Sequence, residues 1–325
     1  MSSSKTIFDD ARRPVFQVIL SSMSEHQWQH SSKGLNNRDI IMSISLPEID
    51  GRIITKTIAF KEEISFDKLT QTKLLEYVPH DFGINYLCDL VKNWSKLSFA
   101  KNEKKNIFIC LANYPNKDSR IANGVGLDTP SSVFHLIKKL KKLNYKIINF
   151  PTNSDQLMKK LISGQTNSHD KIKLKYNKLL SIAEYKNYFE ELPKNIQSEI
   201  NKKWGLIEKD PFIRGGNIVL PIQKFGNLSL GIQPSRGYNI DPKSSYHSPD
   251  LIPPHYYFAF YFWIKYKFKA HAIIQFGKHG NLEWLPGKSL SLSQNCYPDL
   301  ILGPTPLIYP FIVNDPGEGT QAKRR

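Results

Sequence analysis

Apolar and polar positions alternate in blocks along this chain, and the blocks read as mixed α/β. Residues 14–20 form a compact apolar run with one polar break, the pattern of a buried strand. Residues 24–32 suit a helix capped by Ser24. Runs at 40–46 and 52–60 look like further strands joined by the turn Pro47-Glu-Ile-Asp-Gly51, and 82–97 places apolar residues at helical spacing. The clearest pattern follows. A strand at 106–111 leads through a loop at 113–128 to Thr129-Pro130, cap and first residue of a helix reaching about Leu143, with Val133, Leu136, Ile137 and Leu140 on its buried face. A returning strand at 145–150 completes a Rossmann-like βαβ unit and predicts a parallel sheet. Beyond it, 155–161 and 174–188 read as helices around a loop at 167–170.

From about residue 190 proline and glycine become dense. Strands at 219–222 and 228–232 flank Gly226-Asn227, a turn dipeptide, and a strand at 271–276 ends in a glycine-rich turn. Helical periodicity survives mainly at 254–268. The expected fold class is therefore α/β in three segments: mixed α/β over 1–100, Rossmann-like α/β over 101–188, and a loop-rich part over 189–325 that carries the active site. There is no internal repeat and no low-complexity tract.

Composition sharpens this reading by exclusion. The 325 residues are 40% hydrophobic and 12% aromatic, as in a packed globular protein. No apolar run approaches the roughly 18 residues that a membrane span needs; 256–264 is too short and carries three tyrosines. The first twenty residues hold Asp9, Asp10, Arg12 and Arg13 and lack the apolar core of a signal peptide, so a cytoplasmic location is expected. A net charge of +16 invites a nucleic-acid reading, but the lysines are scattered in pairs such as Lys138-Lys139 and Lys159-Lys160, so no nucleic-acid partner is assigned. Cys88, Cys110 and Cys296 lie far apart without a CxxC pair, which excludes a disulfide framework or a structural zinc.

Candidate chemistry concentrates in the last segment. Gly124-Val-Gly126 lacks the third glycine and the lysine of a phosphate loop, and reads as a loop needing positive φ. The loop 233–242 gathers Gln233, Arg236, Tyr238 and Asp241, followed by His247 and His255 near Asp250; a structural loop and a metal or proton-transfer site both fit. In Phe276-Gly-Lys-His-Gly-Asn-Leu-Glu-Trp-Leu-Pro-Gly-Lys288, His279 and Glu283 are four apart, a spacing that puts both on one face of a helical turn. Gly277 and Gly280 leave room for a flat ligand, with Trp284 and Leu285 as an apolar wall. A glycine turn with local pairing fits the same residues. Chemistry alone does not name a reaction.

Gly277 to Lys288 closely resembles the signature of the cobaltochelatase large subunit (CobN)/magnesium chelatase H-subunit family, and so does Asn314-Asp-Pro-Gly-Glu-Gly-Thr-Gln-Ala-Lys-Arg-Arg325. Gly231-Ile-Gln-Pro234 with Gly237-Tyr238 and Asp241-Pro242 resembles a third family block, 113–130 a fourth, and Gly34-Leu35, Arg38-Asp39 and Leu46–Gly51 a fifth, all in family order. Leu282-Glu-Trp-Leu-Pro286 and Asn314-Asp-Pro-Gly-Glu318 are closer to the cobalt branch than to the magnesium branch. The resemblance implies a ligase forming nitrogen–metal bonds, which inserts Co²⁺ into hydrogenobyrinic acid a,c-diamide in aerobic cobalamin synthesis. ATP would be hydrolysed by partner AAA+ motor subunits of CobS and CobT type, not by this chain. The alternatives are a magnesium chelatase H subunit acting on protoporphyrin IX, or a tetrapyrrole-binding fragment inactive alone. Family large subunits are several times this length, so an internal fragment is expected, and Gln275 stands where many relatives have histidine.

By this resemblance Glu283 and His279 become the expected catalytic pair, delivering metal or accepting a ring proton. Asp241, His247 and His255 join them as candidate metal ligands, and Gln233, Arg236, Tyr238, Trp284 and Lys288 as substrate-binding residues.

Overall fold

The computed structural model describes residues 13–113, 121–122, 126–168, 177–237, 248, 250–277 and 280–310. Two compact units emerge. Among the described residues, one comprises the chain up to Asp89 together with Gly287–Gln294; the other comprises the described parts of Leu90–Pro286 and the chain from Asn295 to Pro310.

In the first unit, strand β1 (Phe16–Ser21) is followed by helix α1 (Glu25–His30), opened by Ser24 in a reciprocal capping box with Gln27. Residues expected as a strand at 40–46 are helical instead: α2 (Asn37–Ile40) runs through a π turn into α3 (Leu46–Ile49). Two features override the β-branched run. Asn36 caps the helix through Asp39 N, and Ile40 and Ile44, four apart, pack with Ile19 and Leu35 while Ile41 and Met42 face out. Strand β2 (Ile53–Asp67) pairs parallel to β1 and antiparallel to β3 (Thr72–Pro79), giving the order β1-β2-β3. Helix α4 (Asp81–Phe99) carries the chain out of this unit.

The second unit is built on one five-stranded sheet. Strand β4 (Ile107–Leu111) lies at its centre, buried throughout. Helices α5 (Thr129–Lys142) and α6 (Ser154–Ser163) follow; the α5 cap is Asp128 rather than Thr129, its carboxylate accepting from Ser131 N. Strand β5 (Leu180–Ser181), helices α7 (Ile182–Glu190) and α8 (Lys194–Trp204), and strands β6 (Ile213–Arg214) and β7 (Asn217–Ile218) then form a small side sheet with its helices. Strands β8 (Ile222–Phe225) and β9 (Leu228–Ile232) make the expected hairpin at Gly226, whose φ of 76° needs glycine. Helix α9 (His255–Phe262), β10 (Ala272–Phe276), α10 (Tyr297–Leu302) and β11 (Leu307–Ile308) complete the unit.

The sheet order is β11-β10-β4-β9-β8, and β11, β10, β4 and β9 are all parallel. The parallel partners of β4 are thus β9 and β10, not residues 145–150. That segment makes a single antiparallel bridge at Ile147, because Asn144 and Asn149 adopt positive φ and break an extended run. A domain boundary near residue 188 is likewise absent, since β4 sits between β9 and β10 in the same sheet.

Side-chain alternation gives the sheet two cores. Ile107, Ile109, Leu111, Ile274 and Phe276 pack with α5 and α6; Phe108, Cys110 and Ile273 pack with α7, α8, α9 and α10. Every residue of α9 is buried, as befits a helix that is apolar all round. It approaches the sheet closely over Gly231, where an added Cβ would lie 2.6 Å from Phe108 Cζ and 2.7 Å from Phe260 Cε2.

Candidate functional site

Because β4, β9, β10 and β11 run parallel, the segments that leave them emerge at one edge of the sheet. Those segments begin at residues 112, 233, 277 and 309, and they carry the motif blocks singled out above. After β4 the chain returns to β9 on one side, while after β10 it returns to β11 on the other. Adjacent strands whose connections depart in opposite directions leave a crevice at their carboxyl ends, the usual ligand position in open α/β sheets.

The start of that crevice is tightly built. Ala112 N donates to Phe276 O at 2.8 Å, and Gln233 N to Leu111 O at 2.9 Å. Gly277 has φ of 130°, and a Cβ there would fall 2.3 Å from Ala112 Cβ, so only glycine lets these two segments meet.

Between the sheet and α9 a chain of buried polar groups leads to the same edge. The Cys110 thiol donates to Gln233 Oε1 at 3.0 Å. Gln233 Nε2 donates to the hydroxyls of Tyr257 and Tyr261 at 3.1 and 3.0 Å. Tyr257 in turn donates to Asn281 Oδ1, and Asn281 Nδ2 to Pro234 O. Burial pushes the Cys110 thiol and both phenols well above their ordinary values, so the network stays neutral and fully protonated. Its effect is to fix the segment 280–285.

On that segment, a short 3₁₀ turn (Leu282–Trp284) presents Glu283, which is only 4% exposed. Tyr309, arriving after β11, donates its hydroxyl to Glu283 Oε1 at 3.3 Å and accepts from Gly280 N. Burial, and then the negative charge of Glu283, hold the Tyr309 phenol far above its ordinary value, so it remains a donor. Gln275, the β10 residue opposite Cys110, is 2% exposed, and among the described residues neither of its amide atoms has a hydrogen-bond partner. A carboxylate, a phenol and the stem of the Gln275 side chain thus neighbour Gly280: a Cβ there would lie 3.1 Å from Glu283 Oε2, 3.2 Å from the Tyr309 hydroxyl and 3.4 Å from Gln275 Cγ.

The other expected site residues divide into three groups. His279, Tyr238, Asp241 and His247 lie outside the described residues, as does the block 314–325. Gln233, Arg236 and Trp284 belong to the crevice, but two of them position its walls. Gln233 is the hub of the network just described, and Arg236 donates to Trp284 O and Ser248 O, tying the segment after β9 to the turn that carries Glu283. His255 and Lys288 are corrections. His255 has no nitrogen left for a metal: Nε2 donates to Gly205 O at 2.9 Å and Nδ1 accepts from the Tyr185 hydroxyl at 2.7 Å. Lys288 belongs to the first unit, where its amine donates to the carbonyls of Trp28, Gln29 and Ser31 at the end of α1. Among the described residues no group of three or more His, Cys, Asp or Glu is arranged to hold a metal ion.

The burial of His255 has a consequence for stability. Burial lowers its pKa below the ordinary 6.5, so the unfolded chain binds a proton that the folded chain resists. Its contribution is complete above the unfolded value and is lost as pH falls below about 6.5. Thermal unfolding followed from pH 8 to pH 5 should show the decline, and His255→Gln should flatten it.

Sequence reasoning missed Tyr257, Tyr261, Asn281 and Tyr309 as site elements, and noted Gln275 only as standing where many relatives have histidine. Only Asn281 stands inside a motif that drew notice.

A family model described as CobN/Magnesium Chelatase matches residues 1–325. The chain is 47% identical over 322 residues to the aerobic cobaltochelatase subunit CobN of Sinorhizobium sp, covering 98% of this chain and 25% of that protein. The subunit of the same name from Pseudomonas aeruginosa is 41% identical over 313 residues, and the chloroplastic magnesium-chelatase subunit ChlH of Oryza sativa subsp. indica 27% over 311. Among solved structures, the catalytic subunit of cobaltochelatase from Mycobacterium tuberculosis matches with a TM-score of 0.81 at 36% identity, over 96% of this chain and 26% of that one. The chain thus spans about a quarter of the length of these cobaltochelatase relatives.

Proposed function

Because this chain belongs to the CobN/magnesium chelatase family, we propose that it carries the metal-insertion site of a cobaltochelatase large subunit. The substrates are Co²⁺ and a metal-free corrin, hydrogenobyrinic acid a,c-diamide. The greater identity to the cobalt subunits than to the magnesium subunits supports the cobalt assignment. One structural observation supports the placing of the chemistry: Glu283 is buried at the carboxyl edge of a parallel sheet, where four motif-bearing segments emerge.

Metal insertion poses two physical problems. The ion must shed water, and ring N–H protons must leave as metal–nitrogen bonds form. A carboxylate answers both, since its oxygens replace water on a divalent ion and accept a proton afterwards. Tyr309, protonated and donating to Glu283 Oε1, orients the carboxylate on its turn and favours its charged form, the form that binds an ion or takes a ring proton. His279, four residues earlier, is the candidate second base, with Tyr238, Asp241 and His247 as further candidates for the same crevice. ATP hydrolysis falls to AAA+ partner subunits of CobS and CobT type, and the assembly works in the cytoplasm.

Among the described residues no helix is long and apolar enough to cross a membrane. The decisive assay is reconstitution of the full-length subunit with its ATPase partners on two substrate pairs. Co²⁺ with the corrin should turn over and Mg²⁺ with protoporphyrin IX should not. The reverse preference would move the protein to the magnesium branch, and turnover of neither would leave a tetrapyrrole-binding role.

A further inference from the structure

Gln275 sits on a central strand with both faces of the sheet covered, in a run (Ala272–Phe276) that is otherwise wholly apolar apart from this residue. Folded proteins pair more than about nine in ten of their buried polar groups, and one left unpaired costs about 1–3 kcal/mol. Here both amide atoms go unpaired among the described residues. The one polar neighbour across the strand pair, the Cys110 thiol, already donates to Gln233. An apolar side chain of the same shape would make a more stable sheet, so the amide is retained for something other than folding.

Its surroundings indicate what that is. The Gln275 Cγ lies beside Gly280, where an added Cβ would crowd the Glu283 carboxylate and the Tyr309 hydroxyl, so the amide, one or two bonds further on, is in the neighbourhood of those oxygens. An anionic ligand is disfavoured there by the carboxylate, and an apolar one would leave the amide unpaired. A divalent cation gives the amide oxygen its missing partner and is compatible with the neighbouring carboxylate, because neutral amide oxygen and carboxylate oxygen are ordinary partners for Mg²⁺-like and Co²⁺-like ions.

Building on the role given to Glu283 above, we propose that Gln275 is a second ligand for the incoming divalent ion, its amide oxygen joining the Glu283 carboxylate in an oxygen seat at Gly280. One negative and one neutral oxygen donor hold a doubly charged ion without neutralising it, so the ion is held loosely and passes readily to ring nitrogens. A second carboxylate at this position would hold it more firmly and release it more slowly.

The test combines Co²⁺ titration calorimetry with thermal unfolding on wild type, Glu283→Gln, Gln275→Leu and Gln275→Glu. Wild type should show a Co²⁺ site that Glu283→Gln removes. Gln275→Leu should leave Tm unchanged or raised while weakening that site about tenfold, the scale on which supporting groups change metal affinity. Gln275→Glu should tighten it, and this variant decides the matter if Gln275→Leu folds poorly. A Gln275→Leu protein with lowered Tm and unaltered Co²⁺ affinity, or a Gln275→Glu protein that binds no more tightly, overturns the inference while leaving Glu283 in place. Co²⁺ binding indifferent to Glu283→Gln overturns both.

Discussion

Replacing Glu283 by Gln in the full-length subunit should abolish cobalt insertion while leaving tetrapyrrole binding largely intact. The substitution keeps size and a hydrogen-bond acceptor for the Tyr309 hydroxyl, so the turn at Leu282–Trp284 and its tie to Arg236 should persist. What is lost is the negative charge and the basic lone pair. Positioned proton transfer alone is worth about 10²–10⁴ in rate, and the loss of a charged oxygen ligand for the ion adds to it. A full-length subunit with its ATPase partners, assayed for corrin metallation and separately for corrin binding by fluorescence quenching, reads both quantities. Turnover within about twofold of wild type would take Glu283 out of the chemistry, since no acid–base or ligand role has so small an effect. Loss of corrin binding with loss of turnover would make Glu283 a substrate contact instead.

Much of this was legible in the sequence, and what was not has identifiable causes. The strand at β4, the hairpin of β8 and β9, and the helix opened by Ser24 all rest on local signals: an apolar run, a Gly-Asn turn and a capping box. Where tertiary packing overrode local propensity, the reading failed. Residues 40–46 look β-branched and strand-like, yet Ile40 and Ile44 find one core only in a helical register. Residues 145–150 have the hydrophobicity of a strand, but Asn144 and Asn149 take positive φ.

The site shows the same division. Glu283 stands inside a motif, but residue type and spacing left a glycine turn with local pairing open, and the family resemblance made it the catalytic candidate. Tyr309 comes 26 residues later and reaches Glu283 only because β10 and β11 pair in parallel, a fact no local pattern carries. Gln275 drew notice in the sequence only as standing where many relatives have histidine. Its meaning depends on burial and on the absence of a partner, which are properties of the folded sheet. His255 failed for the opposite reason: proximity to other polar residues in the chain suggested a ligand, but folding paired both of its nitrogens.

Lys288→Met should destabilise the first unit by about 3 kcal/mol, because hydrogen bonds to a charged group are worth about 1.5–3 kcal/mol each, are not fully additive, and here one is buried and two are part-buried. The family resemblance made Lys288 a candidate for binding the substrate's peripheral amides and carboxylates. The folded chain buries it to 8% exposure and sets its amine over the Trp28 ring at 5.2 Å, donating to carbonyls 257–260 residues earlier. Those carbonyls belong to the last turn of α1 and its cap, where the helix dipole is negative; Trp28 O also accepts from Ser31 N, at 3.1 Å. Methionine preserves the length and the apolar stem, so the measured loss isolates the amine. Thermal unfolding of the variant should show a lower Tm, and corrin binding measured below that Tm should match wild type. An unchanged Tm with weakened corrin binding would return Lys288 to the substrate, and would mean that the three carbonyls are solvated as well by water as by the lysine.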